Sequence, residues 1–452
     1  MTSVAKFEKM QQVNIVQEKN DTDLTMNNSF VRCIIVVSYL CQVLLLYDRY
    51  TFQNYIGLVL TFCVAILMFT DCYYIPIALI ILTPNVFGTL FMGRVSFVTV
   101  LGVALVFRLL ITKAKVNFNI SDIVWITIGL CNCLHLHFFN AGHTGIEKIF
   151  SMLMAMFWLI YIRIENRKND GAIEKFLAAM SIAVTTNAAV SLLTRKATLY
   201  EHSERLGLIG LGSDDPNIAA LAITTAIITL ISTNYVKVWA KIVSMLILFL
   251  CLITTVSISG FLAVIGTVLI FILFTNKERL NLFAIVSLII VAILAIVIFP
   301  NLSIVGEKND YGETTNYLEY YQEKIGERFD AFVNDDLDAA TSGRTKIMRT
   351  NLDYLSEQST ISQLFGGYPT NPLGLGMSHN SYADMILRFG YIGAIGVVML
   401  LVYSTVKCLQ KAMKTQKYCL FLCKLLFIYW GMTLSLFDGT TSVLWYSVIL
   451  MF

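Results

Sequence analysis

The chain has 452 residues, 57% of them hydrophobic and only 14% charged, with a mean hydropathy of +0.70 and a formal net charge of +3. Those proportions exclude a water-soluble globular domain, which cannot bury so much apolar surface with so few charges to cover it. What remains is a polytopic membrane protein.

The first 29 residues are polar and lack the basic, apolar, small-residue order of a cleavable signal peptide, so the first apolar run is expected to stay as an anchor. From there, roughly fourteen runs of about 16 to 22 mostly apolar residues recur, each able to cross a ~30 Å hydrocarbon core as a helix with its backbone hydrogen bonds closed internally. They are predicted at 30–47, 55–71, 74–92, 95–112, 121–139, 146–163, 173–193, 215–234, 238–257, 259–275, 281–299, 384–406, 418–437 and 440–452. The expected fold is all-α, a polytopic transmembrane helical bundle of about 12 to 14 spans with one long extracytoplasmic loop containing amphipathic helices. Its parts are a cytoplasmic tail at 1–29, a bundle over 30–299 with an outer loop at 194–214, a long extracytoplasmic loop at 300–383, and C-terminal spans over 384–452.

Orientation follows from lysines and arginines in alternating short loops, because cytoplasmic loops carry the excess. One set holds Lys113 and Lys115, Arg163, Arg167 and Lys168, Lys237 and Lys241, Lys277 and Arg279, and Lys407, Lys411, Lys414 and Lys417. That set is assigned to the cytoplasm, with the N-terminus inside. All five histidines (His135, His137, His143, His202 and His379) then fall on the outer half. None of the ten cysteines lies in the long outer loop, which therefore has no disulfide framework. Cys131 and Cys133, like His135 and His137, are two apart on a helix and point to different faces, so packing is the favoured role of both pairs.

In the 194–214 loop, His202 and Arg205 precede LGLIGLGSDDPN, where Asp215 can cap the next span and Pro216 can open it. Arg205, a lone arginine among leucines and glycines at a membrane surface, needs an anion or a carboxylate. The long loop is acidic, yet ten of its acids lie between Glu307 and Asp338 while SGRTKIMR gathers Arg344, Lys346 and Arg349 at the start of a predicted helix. Apolar residues at Leu318, Tyr321, Ile325, Phe329 and Phe332 predict an amphipathic helix over 316–333. The second helix, after Ser342, sets Met348, Leu352 and Leu355 on one face, and its first turn brings free amides and the Arg344 fork together as a phosphate site. Arg349 lies ~140° round that helix and is assigned to solvent. NDDLDAA at 334–340 is taken as a solvated charge run. Where the loop returns to the membrane, Asp384 and Arg388 stand i,i+4 with the acid first, the order that favours an ion pair. Gly390, Gly393 and Gly396 are expected to permit close helix packing.

An arginine ahead of Asp215, Pro216 and Asn217 is followed by Ser342, Gly343 and Arg344 near an amphipathic helix. Then come Gly366–Gly367, His379–Tyr382 as HNSY and Phe389–Gly393 as FGYIG. This order resembles the O-antigen ligase and Wzy-type repeat-unit polymerase superfamily, from about Arg205 to Gly396. The N-terminal spans match only in hydropathy. The resemblance implies metal-independent glycosyl transfer, without a cofactor, from a glycan on polyprenyl pyrophosphate at the outer face of the bacterial plasma membrane. By position, Arg205 and Arg344 would hold the pyrophosphate and His379 would act beside the acceptor hydroxyl. The residue reading itself adds Asn380, Asp384, Arg388 and His202 as supporting candidates. One departure is that TVSISGFLAV stands where many members carry Ser-Arg, so a third basic contact is missing there.

The chemistry agrees with those residue types. A sugar pyrophosphate has its leaving group in place, so the protein must neutralise developing charge and deprotonate a hydroxyl, work suited to arginines and one histidine. The expected activity is polymerisation of lipid-linked repeat units for O-antigen, capsule or exopolysaccharide. The nearest alternative is a ligase passing finished glycan to another acceptor; a flippase or secondary transporter is more distant, since no internal repeat is visible. Expected partners are the lipid-linked oligosaccharide, membrane lipid, and a flippase and chain-length regulator of the same pathway, with no nucleic acid.

Overall fold

The computed structural model of the chain describes residues 28–47, 53–82, 97–113, 116–120, 122–127, 130–131, 146–168, 171–194, 208, 216–255, 257–274, 326–327, 330–331, 333–334, 336, 338, 343–369, 371–374, 379–415 and 417–434. Every element over these residues is a helix. In chain order they are α1 (Ser29–Tyr47), α2 (Gln53–Met68), α3 (Tyr74–Leu82), α4 (Phe97–Ile111), α5 (Ile146–Lys168), α6 (Ala172–Thr194) and α7 (Pro216–Ser232). The second half holds α8 (Val238–Thr254), α9 (Ile258–Phe274), α10 (Arg344–Ser356), α11 (Thr360–Phe365), α12 (Ser381–Thr415) and α13 (Cys419–Gly431). The predicted spans at 281–299 and 440–452 lie outside the described residues, as does most of the amphipathic stretch at 316–333.

The bundle is organised round α6 and α7. In α7 every residue from Ala219 to Ile231 is buried, as expected of a helix that is apolar on all sides. Alanines at Ala219, Ala220, Ala222 and Ala226 let its neighbours α6, α8, α9 and α13 come close. Hydroxyls in this interior return to their own helices: Ser181 donates to the Leu177 carbonyl at 2.8 Å, Thr229 to Thr225 at 2.9 Å and Thr267 to Ala263 at 2.7 Å. Such bonds satisfy polar groups that no water reaches. Between helices, Tyr39 and Gln42 of α1 donate to the α6 carbonyls of Ala179 (3.1 Å) and Ala183 (3.2 Å).

Outward, the apolar character does not stop. α1 exposes Phe30, Val36, Leu40, Leu44 and Tyr47, and α12 exposes Ile392, Ile395, Met399, Val402 and Val406. Apolar surface on this scale needs lipid to cover it. Three helices, Ser29–Tyr47, Ala172–Leu193 and Ser381–Thr415, are long and apolar enough to cross a membrane, and six shorter apolar helices accompany them. The chain is an integral membrane protein.

Local expectations hold at two helix starts. Pro216 is the first residue of α7, and α10 begins at Arg344 with Leu355 buried against the bundle. The glycines of α12 behave differently from the expectation of close helix packing. At Gly390 (φ 66°, ψ −178°) the helix is broken, and the break is filled by the backbone that follows α11. The amides of Gly367 and Tyr368 donate to the carbonyls of Arg388 (2.9 Å) and Leu387 (3.1 Å), which the break releases from the helix ladder. A side chain on Gly390 would run into the backbone of Leu364 and Phe365, and one on Gly366 (φ 74°) into that of Arg388 and Gly390. Gly396 faces open space, and a Cβ on Gly393 would meet only Phe389 of its own helix.

Candidate active site

The start of α12 is set by one side chain. Asn380 Oδ1 accepts from the backbone amides of Tyr382 (3.0 Å) and Ala383 (3.2 Å), the geometry of an N-cap. His379, immediately before it, adopts a left-handed backbone with φ 48°, and its residue is half-buried. The cap bonds of this helix are thus Asn380's, and the turn at His379 directs the chain into the helix from the preceding segment.

Behind these residues runs a row of polar anchors. Ser381 donates to the Leu434 carbonyl at 2.6 Å, and Tyr382 to the Ile428 carbonyl at 3.0 Å, tying the start of α12 to the end of α13. Tyr429 donates to the Ser259 carbonyl at 3.2 Å, linking α13 to the start of α9, and Ser257 lies 3.4 Å from Asn217 Oδ1 at the start of α7. Four helix ends, of α7, α9, α12 and α13, therefore meet at one end of the bundle.

Arg344 reaches the same place from the segment between α9 and α12. Its guanidinium donates to the Thr433 carbonyl at 3.3 Å, the peptide group next to the one that Ser381 holds. Consecutive Cα atoms being ~3.8 Å apart, the Arg344 fork and the Ser381 hydroxyl stand within roughly 10 Å of one another. Gly343, which precedes α10, has a left-handed backbone and no side chain, so no side-chain cap bond is made at this helix start as Asn380 makes one at α12. Arg349 is exposed, in agreement with its assignment to solvent.

Asp384 and Arg388 lie further down α12. Both are buried, at 0% and 2% exposure, so they are interior groups of the bundle rather than a surface pair. Arg388 is the one charged residue among those described around a cavity of ≈ 330 Å³ beside the helix break, shared with Thr127, Phe365, Phe389 and Val397. Arg205 and His202 lie outside the described residues.

Residues 243–398 match the family model Wzy_C, described as O-antigen ligase. The chain carries a domain of the O-antigen ligase and Wzy-type superfamily. This O-antigen ligase domain covers about a third of the chain, from α8 through α9, α10 and α11 to Val398 of α12. It contains Arg344, His379, Asn380, Asp384 and Arg388; His202 and Arg205 precede it. The family implies a membrane setting and a lipid-linked oligosaccharide substrate, with chemistry of the ligase or polymerase type. No curated protein matches the chain.

Sequence reasoning missed Ser381, Tyr382 and Tyr429 as the ties that gather the site. Their partners are main-chain carbonyls, which leave no trace in side-chain identity; only the quoted HNSY pointed near them.

Proposed function

We propose that the chain is a polymerase that joins polyprenyl-pyrophosphate-linked oligosaccharide repeat units at the outer face of the bacterial plasma membrane. The observation that carries this reading is the meeting of Arg344 and the His379–Asn380–Ser381 turn on two consecutive carbonyls, Thr433 and Leu434, inside an O-antigen ligase domain and its neighbour α13. Arg344, with the first-turn amides of α10, takes the pyrophosphate of the donor and stabilises the negative charge that develops as the sugar C1–oxygen bond breaks. Arg205 is the second pyrophosphate contact. His379 accepts the proton of the acceptor hydroxyl as that oxygen attacks C1. Asn380 holds the turn, Arg388 supplies further positive charge near the helix break, and Asp384 sits one turn above it. The step needs neither metal nor cofactor in this reading.

The orientation is part of the same proposal. The helix ends that gather Ser381, Ser259 and Asn217 carry no lysine or arginine of the cytoplasmic set, whereas Arg163, Arg167, Lys407 and Lys411 come together at the opposite end of α12. Positive residues mark the cytoplasmic side. The site then faces outward, in a bundle of about fourteen spans.

A second reading is favoured by the description of the matched family, O-antigen ligase, in which the finished glycan passes to a different acceptor. Purified protein given a lipid-pyrophosphate oligosaccharide separates the two. A product ladder on a gel is expected; one transfer to an added acceptor would assign the ligase, and no transfer with either would reject both.

A further inference from the structure

At the end of α12 remote from His379 lies a cavity of ≈ 350 Å³ whose lining includes Arg163, Arg167, Lys407 and Lys411 together with the rings of Trp125 and Tyr403. Asp122, fully buried, pairs with Arg167 at 2.7 Å and Arg163 at 3.3 Å. One carboxylate thus fixes two guanidiniums, and among the described residues of the lining four are basic and none is acidic. Lys407 is further placed over the Tyr403 ring, 5.7 Å from its centroid. The positive-inside bias accounts for basic residues at this end of the bundle. It does not account for their convergence from two helices on one half-open cleft organised by a shared buried acid.

We propose that this cavity holds the phosphate headgroup of an anionic glycerophospholipid. Three observations favour a lipid over a free anion. The exposed apolar face of α12, from Ile392 through Ile395, Met399 and Val402, adjoins the cavity at the exposed ring of Tyr403 and offers a bed for an acyl chain. Lys411 lies ~30 Å along α12 from the Gly390 break at 1.5 Å per residue, one hydrocarbon thickness away, which sets the cations at headgroup depth. The volume falls at the small end of ligand sites, ~300–1,000 Å³, which suits a headgroup and leaves the tails outside. Basic clefts between helices on the cytoplasmic side are suited to anionic headgroups, each lysine or arginine near the surface contributing about fivefold in affinity.

The test uses the full chain purified in detergent. It is reconstituted in nanodiscs of phosphatidylcholine alone or with 20 mol% phosphatidylglycerol (on the order of the anionic content that gives a biological leaflet its surface potential), and retained lipid is read by native mass spectrometry. Lys407 and Lys411 are exposed at the cavity mouth, so K407Q/K411Q leaves the Asp122 cluster intact. Phosphatidylglycerol is expected to be retained by the parent chain and about 25-fold more weakly by the double variant. K414Q/K417Q, at the same end but outside the cavity lining, should retain it as the parent does. Equal retention by the parent and K407Q/K411Q overturns the proposal, and so does an equal loss in K414Q/K417Q, which would reveal a diffuse charged surface. Displacement of the lipid by millimolar inorganic phosphate would overturn the lipid assignment in favour of a free-anion site.

Discussion

Gly390→Ala tests the architecture that holds the site. The native residue sits at φ 66° and ψ −178°, a region that only glycine enters cheaply; any side chain there costs about 1–3 kcal/mol in strain. The new Cβ would also meet the backbone of Leu364 and Phe365, which cannot turn aside as a flexible side chain can. If α12 straightens or α11 backs away, the bonds from Gly367 to Arg388 and from Tyr368 to Leu387 go with it, each worth about 0.5–1.5 kcal/mol. The variant takes the cheaper of the two, so the docked state loses about 1–3 kcal/mol. Limited proteolysis of the 359–374 segment reads this directly, because cleavage follows the population of the open form; 1 kcal/mol corresponds to about a fivefold increase and 2 kcal/mol to ~30-fold. Glycan transfer should fall in parallel while membrane insertion is retained. Gly396→Ala is the control, since its Cβ enters open space and alanine favours the helix by about 1 kcal/mol. Cleavage of Gly390→Ala at the parent rate, with thermal stability unchanged, would refute the account of the break.

His379→Asn should abolish transfer while donor binding and folding persist, because asparagine tolerates the left-handed backbone but cannot act as a base near neutrality; near-normal polymer from this variant removes His379 from the mechanism. Arg344→Ala should reduce turnover at least ~100-fold, with Arg344→Lys rescuing poorly for lack of the bidentate fork, and Arg349→Ala mild; equal losses at Arg344 and Arg349 would point to a general charge patch. Asn380→Ala should cost about 1 kcal/mol in thermal stability through the lost cap, and Asn380→Asp should recover it; a melting curve unmoved by Asn380→Ala would deny the capping role. An engineered cysteine at Asp335 should react with an impermeant thiol reagent on intact cells and one at Lys414 should not; the reverse pattern would invert the topology and remove the extracytoplasmic site with it.

Composition and hydropathic runs were enough to determine an all-helical membrane protein, since a bilayer allows so few ways of closing the backbone hydrogen bonds of an apolar chain. Starts that depend on local chemistry were legible too: Pro216 opens α7 and Arg344 opens α10 as their neighbours predict. The HNSY and FGYIG stretches marked the right region of the chain, and the O-antigen ligase match covers both. Tertiary structure decided what those residues do for one another. Gly390 read in sequence as a small residue for helix packing, and became a break only because α11 and the Gly366–Tyr368 backbone lie against it. Asp384 and Arg388 kept their i,i+4 spacing but are interior, because the bundle closes over that turn. Arg344 and Ser381, 37 positions apart, meet through the carbonyls of Thr433 and Leu434. Main-chain acceptors are the same in every residue, so no pattern of side chains announces which of them a distant arginine or serine will find; only the packing of helix ends selects the pair.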